Sequence, residues 1–256
     1  MLRPGALGDT LLALPALRAL RAQGRRVTLA AHGPTARFLA GLGEVDTGLA
    51  FDDPRLGWVF GASEPPRPTP RVVAWMDARL AIEPEVQAPS RPLDEHTHCA
   101  QHLLDSVGDG DLDHPQLDIT SVPSDEVLVH PGSGSARKNW PPERFAAVLR
   151  QVGEPVRLIV GEADTLAASA VERCVGQPLA RLEHPPLEEL AARLAGCRAY
   201  LGNDSGVSHL AGLCGAKTLV LFGPTPAAVW RPLGPHVQVV DFAAEPAEII
   251  ELLAKP

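Results

Sequence analysis

The chain has no apolar run long enough to span a bilayer, no closely spaced cysteine pair, and only three lysines among its 23 basic residues. Without a spanning segment the protein is expected to stay in the cytoplasm, with room for a peripheral contact at the inner membrane. Residues Leu11 to Leu20 are apolar, but Asp9 precedes them and Arg3 is the single basic residue before it. That flank does not suit a signal peptide, so the stretch reads as an amphipathic helix inside the fold. The four cysteines, Cys99, Cys174, Cys197 and Cys214, are scattered, which fits a reducing compartment and yields no disulfide framework. Positive charge is short as well. The formal net charge of −8 argues against a nucleic-acid partner, because phosphate binding needs a basic footprint. The excess of arginine over lysine reflects compositional bias more than function.

What is present suits a globular α/β protein. The chain has 256 residues, of which 45% are hydrophobic and 21% charged, enough for one large or two small domains. Gly8 to Arg21 reads as a helix that Pro15 bends or restarts. Strands follow at 26–31, 49–51 and 72–75, with a helix at 35–42 and a proline-rich loop at 63–70. A helix at 95–107 ends the first series. The second series has strands at 127–129, 156–160, 198–201, 218–222 and 237–240. Its helices fall at 142–152, 163–175, 186–195, 210–214 and 246–254. Strands alternating with helices imply parallel sheets covered on both faces. The acidic, proline-punctuated segment 109–125 separates the two series. The expected organisation is therefore a Rossmann-like domain over 1–120, a second over 121–242 facing it across a cleft, and a C-terminal helix over 243–256. One feature of the start stands out: only Leu2-Arg3 precedes the first glycine turn as strand material, unless the natural chain begins upstream.

Three loops carry chemistry. Arg3-Pro4-Gly5-Ala6-Leu7-Gly8-Asp9 is a strand-to-helix turn whose glycines let a ligand approach the backbone. Asp9 there is either a helix cap or a general base. His130-Pro131-Gly132-Ser133-Gly134-Ser135-Ala136-Arg137-Lys138 follows a buried strand and offers backbone N–H groups, hydroxyls and charge to an anion such as a diphosphate. It matches neither the Walker loop nor the full GxGxxG fingerprint. Gly202-Asn203-Asp204-Ser205-Gly206-Val207-Ser208-His209 joins a strand to a helix, where ligands bind in open α/β sheets. Asp204 or Ser205 can cap that helix, and Ser205, Ser208 and His209 can share one face. His96, His98, Cys99 and His102 superficially suggest a metal cluster but lack a complementary ligand pair. Asp111-Leu112-Asp113 matches a DxD pattern yet sits in an acidic linker, so it reads as a solvated loop. No metal and no cofactor is expected.

Taken in order, these loops resemble the ADP-heptose:lipopolysaccharide heptosyltransferases of glycosyltransferase family 9. The carriers are the segment from Arg3 through Asp9 to Pro15, His130 through Lys138 to Pro141, Gly202 to His209, and Leu221-Phe222-Gly223-Pro224-Thr225. The resemblance implies a GT-B architecture with an acceptor-binding first domain, a donor-binding second domain, and a last helix that crosses back to the first. It implies metal-independent transfer of a sugar from a nucleotide diphosphate with inversion, onto a lipopolysaccharide-core or other surface-glycan acceptor. By motif position Asp9 becomes the general base, while Ser133, Gly134, Ser135 and Lys138 hold the diphosphate. Asp204 takes donor-sugar hydroxyls, with Ser205 and Gly206 near the phosphates and His209 and Thr225 in the pocket. Glu162 is assigned to the ribose, with Asp164 as its competitor. The chain is short for the family, chiefly in the acceptor domain. A nucleotide-sugar-binding protein without transfer is thus the alternative, and a sugar-nucleotide epimerase on the same fold is a third reading.

Overall fold

The computed structural model describes residues 1–110, 112, 114–153 and 155–255. It divides into two compact units, Met1–Asp113 and His114–Pro256, so the boundary falls a few residues before the one expected at 120. Asp111 and Asp113 of the DxD pattern lie outside the described residues.

In the first unit the expected single helix is two, α1 (Leu7–Leu11) and α2 (Leu14–Ala22). The break falls at Leu12–Ala13 because Pro15 lacks an N–H and is tolerated only in a helix's first turn, where it stands in α2. Then come β1 (Thr28–Ala31), α3 (Gly33–Gly41), β2 (Thr47–Ala50), β3 (Val73–Trp75), β4 (Val86–Ala88) and α4 (Cys99–Asp105). The pairs β1–β2 and β3–β4 are both parallel. Leu2 joins them, bridging Ala30 on one side and Ala74 on the other, also in parallel. Its N–H donates to Val73 O at 2.8 Å, and the Trp75 N–H donates to Leu2 O at 3.0 Å. The short Leu2-Arg3 segment therefore does the work of a central strand. Leu2, Ala30, Leu49, Trp58, Val59 and Ala74 bury their side chains together on this sheet.

The second unit holds β5 (Val127–His130), α5 (Pro142–Leu149), β6 (Val156–Val160), α6 (Thr165–Val175) and β7 (Ala180–Glu183). It continues with α7 (Leu187–Gly196), β8 (Ala199–Asn203), α8 (Gly206–Leu213), β9 (Thr218–Phe222), α9 (Ala227–Trp230), β10 (Val237–Asp241) and α10 (Pro246–Ala254). One parallel sheet of six strands results, in the order β10-β9-β8-β5-β6-β7. Every residue of β5, β8 and β9 is buried, as expected where helices cover both faces. The chain runs outwards from β5 to β7, then returns to place β8 on the other side of β5. That reversal is the topological switch point, and its two loops are the ones the sequence singles out. α10 packs on α5 and buries Ile249 and Leu253 in this unit's core. The sequence reading has this helix return to the first domain; the packing described here is within the second unit.

Candidate functional site

Two loops leave the carboxyl ends of β5 and β8 side by side, since these strands pair with His130 opposite Gly202. Asn203, fully buried, ties them together. Its Nδ2 donates to Pro131 O at 2.9 Å and to Gly132 O at 3.3 Å, and its Oδ1 accepts the Trp140 N–H at 2.9 Å. A buried amide that satisfies backbone groups of another loop fixes that loop's course, because each group would otherwise be orphaned. Asn203 lies inside a motif noted in the sequence, yet this role was not legible there.

On this scaffold stands a charged cluster. Asp204 Oδ2 accepts from Lys138 Nζ at 2.8 Å and from Thr225 Oγ1 at 2.6 Å, so residues from three separate loops meet at one oxygen. Asp204 is buried, whereas the Lys138 side chain is 31% exposed. An ammonium has three donors and Asp204 engages one. Ser133 Oγ lies 2.7 Å from both Ser135 O and Asn139 Oδ1, shaping the tight turn through Gly134. The Ser135 side chain and Gly134 are exposed.

Ser205 is the N-cap of α8: its Oγ accepts the Ser208 N–H at 3.4 Å. Gly206 and Val207 begin the helix, where N–H groups have no intrahelical acceptor and the dipole favours an anion. Behind the cap, His130 Nδ1 lies 3.1 Å from Ser205 Oγ, and His130 Nε2 lies 2.9 Å from Asp164 Oδ2. Burial opposes the Asp164 charge, but His130 and the Gly161 N–H outweigh it and hold its pKa below the ordinary carboxylate value. Asp164 is thus committed inwards, while Glu162, its competitor at the end of β6, is exposed. His209 is buried on α8 one turn beyond Ser205. Gly202 is obligatory for packing, since a Cβ there would lie 2.2 Å from the Tyr200 hydroxyl.

In the first unit, Asp9 stands in the first turn of α1. Its Oδ2 accepts the Ala6 N–H at 2.9 Å, which is a cap, and its Oδ1 is 3.6 Å from Arg3 Nη2. Arg3 is almost completely buried, while the Asp9 side chain is 36% exposed. Burial pulls the Arg3 guanidinium down, offset in part by the charges of Cys99 and Asp9. Gly5 has a φ of +132°, and a Cβ there would lie 2.6 Å from Asp9 Cβ. The cap and the base readings therefore describe the same carboxylate: one oxygen is held, and the group still reaches solvent.

The histidine-rich segment is otherwise employed. His98 caps α4 by accepting the Ala100 N–H at 3.2 Å, and His102 Nε2 lies 2.9 Å from Pro89 O. Among the described residues no three His, Cys, Asp or Glu side chains gather as a metal would need. Among the same residues no helix is long and apolar enough to cross a membrane. A cavity of about 550 Å³ opens at the amino-terminal ends of β1 and β3, the opposite end of the strands from Asp9. Its rim arginines Arg25 and Arg55 are paired with Glu85 and Asp53. Among its lining residues are no His, Asp or Glu, so the loops are kept as the candidate site.

Comparison with known proteins bears on the family and the fold. The lipopolysaccharide heptosyltransferase 1 of Pseudomonas aeruginosa is 32% identical over 126 residues, 48% of this chain. The chain covers 36% of that relative's length. The solved structure of the Escherichia coli ADP-heptose lps heptosyltransferase II shares the fold, with a TM-score of 0.75 at 18% identity over 98% of this chain and 96% of that one. The glycosyl transferase family 9 structure from Veillonella parvula gives 0.75 at 17% identity, over 98% and 95%. Residues 83–249 match the profile of Glycosyltransferase family 9 (heptosyltransferase), more than half of the chain and both loops of the second unit's switch point. The chain belongs to glycosyltransferase family 9.

Proposed function

We propose that the protein is an inverting glycosyltransferase that moves a heptose from ADP-heptose onto a lipopolysaccharide-core or other surface-glycan acceptor. The observation that carries this reading is the meeting of Lys138, Asp204 and Thr225 beside the α8 N-terminus at the switch point. The E. coli structure named for ADP-heptose supports the choice of donor.

In this reading the acceptor hydroxyl gives its proton to Asp9 as its oxygen attacks the anomeric carbon of the donor sugar. The bond from that carbon to the diphosphate breaks, and nucleoside diphosphate leaves with the electron pair. Lys138, the turn through Ser133, Gly134 and Ser135, and the N–H groups of Ser205 and Gly206 neutralise the charge that develops on it. They supply the positive field that such a leaving group needs without a metal ion. Asp204 holds donor-sugar hydroxyls through the carboxylate oxygen that Lys138 and Thr225 leave open. His209 completes the pocket, and exposed Glu162 reaches the ribose. A glycolipid acceptor would bring the protein to the surface of the inner membrane without insertion.

Incubation with a panel of nucleotide sugars and glycan acceptors should release nucleoside diphosphate, and Asp9→Ala should lose transfer while keeping donor affinity. Full transfer by that variant would remove Asp9 from its role. Donor binding with no turnover on any acceptor would instead favour a binding protein, and conversion of the donor alone would favour an epimerase.

A further inference from the structure

The buried polar groups behind the α8 N-terminus form a chain whose proton positions follow from their chemistry. Asp164 is ionised, because His130, the Gly161 N–H and the charge of His184 overcome the cost of its burial. An ionised carboxylate only accepts, so His130 Nε2 carries a proton and donates it at 2.9 Å. In the neutral imidazole Nδ1 is then an acceptor, and Ser205 Oγ at 3.1 Å is the donor to it. Ser208 donates to Asn203 O at 2.5 Å and accepts from Tyr200 at 2.8 Å, and at 3.3 Å from Ser205 Oγ it is a more distant acceptor than His130 Nδ1. Ser205 therefore turns its hydrogen inwards and presents its remaining lone pair to an anion arriving at the helix.

Protonation of His130 reverses one link. Nδ1 becomes a donor, Ser205 becomes the acceptor, and its own hydrogen is released to join the Gly206 and Val207 N–H groups. We propose that His130 and Asp164 are positioning residues that couple diphosphate binding at the α8 N-terminus to the uptake of one proton, by setting the direction in which Ser205 donates. The proposal rests on the donor-site reading above.

The rest of the surroundings fits this coupling. The diphosphate's negative charge and the Asp164 carboxylate both stabilise an imidazolium between them. His184, at the end of β7, favours the ionised form of Asp164. Burial pushes the Tyr200 hydroxyl far up, so it stays neutral. Lys138 and Asp204 offset each other as an ion pair. Gly132 closes the packing: a Cβ there would lie 1.8 Å from Asp164 Oδ1, so the β5 loop leaves that carboxylate no room to turn away.

Calorimetry with ADP-heptose tests the proposal, because its esterified diphosphate does not itself titrate near neutrality. At about pH 8, heats in buffers of different ionisation enthalpy read the protons taken up. The expected result is uptake of about one proton and an affinity that rises up to about tenfold per unit fall in pH. His130→Gln should bind with no uptake and a flat pH profile, and Asp164→Asn should show reduced uptake. Ser205→Ala keeps the imidazole and removes the hydroxyl, so its uptake should fall even if the His130 variant does not fold. Undiminished uptake in His130→Gln or in Ser205→Ala overturns the proposal. Binding to the unaltered protein with no uptake overturns it alone, whereas no binding at all overturns the donor-site reading with it.

Discussion

Asp9 and Asp204 are both carboxylates just beyond the carboxyl end of a parallel strand, but they are held in opposite ways. Asp204 is buried, with one oxygen already shared by Lys138 and Thr225 at 2.8 and 2.6 Å. The Asp9 side chain is 36% exposed, tied by one backbone N–H and by the edge of a buried arginine. A neutralised carboxylate in a rigid frame suits binding, because its geometry is set before a ligand arrives. A tethered but accessible one suits proton removal, since a base must reach the proton it takes. In the proposed reading the second unit takes the donor and the first takes the reacting acceptor hydroxyl.

The strongest challenge to that contrast is Asp9→Asn. Transfer measured as nucleoside diphosphate release should fall about 10²- to 10⁴-fold, with donor affinity nearly unchanged. A parallel loss of donor affinity would erase the division of labour. Next comes the frame itself. Asn203→Ala strands the Trp140 N–H and the Pro131 carbonyl in the interior, a loss of about 2–4 kcal/mol. A thermal melt should drop by roughly 5–15 °C, and a drop below about 2 °C would show that the loops hold without it.

Lys138→Ala should leave folding largely intact and weaken donor binding about 10- to 100-fold, the weight of a charge-assisted hydrogen bond, as read by calorimetry. The acid limb of stability is a smaller effect. Asp164 has a lowered pKa in the folded protein, so its contribution is present above the ordinary carboxylate value and is lost as pH falls through the lowered one. Asp164→Asn should therefore flatten the acid side of a denaturation profile. Glu162→Gln, at an exposed carboxylate, should change donor affinity by less than about threefold.

Much of the second unit was legible because its strands are continuous apolar runs. Val156–Val160, Thr218–Phe222 and Pro246–Ala254 stand where the pattern puts them. β7 escaped notice because Ala180–Glu183 is an edge strand with one buried residue, Leu182, so it has no apolar run to read. β4 is three residues long and half-buried, and α9 is a single turn. The site was legible as three loops and their cations. Its internal wiring was not, because His130 meets Asp164 and Ser205 across 34 and 75 residues of sequence. Asp164, which from the sequence alone competes with Glu162 for the ribose, has a histidine of the neighbouring strand as its partner.

The sequence by itself determined the α/β class, the candidate loops and the family, since periodicity and local motif order are properties of the chain. Only the tertiary structure decided that Leu2 is the strand joining two ladders and that Asn203 locks one loop to another. It alone decided that Lys138, Asp204 and Thr225 meet at one oxygen. Those facts depend on strand order and register, which bring distant residues to hydrogen-bonding distance and which no local pattern encodes.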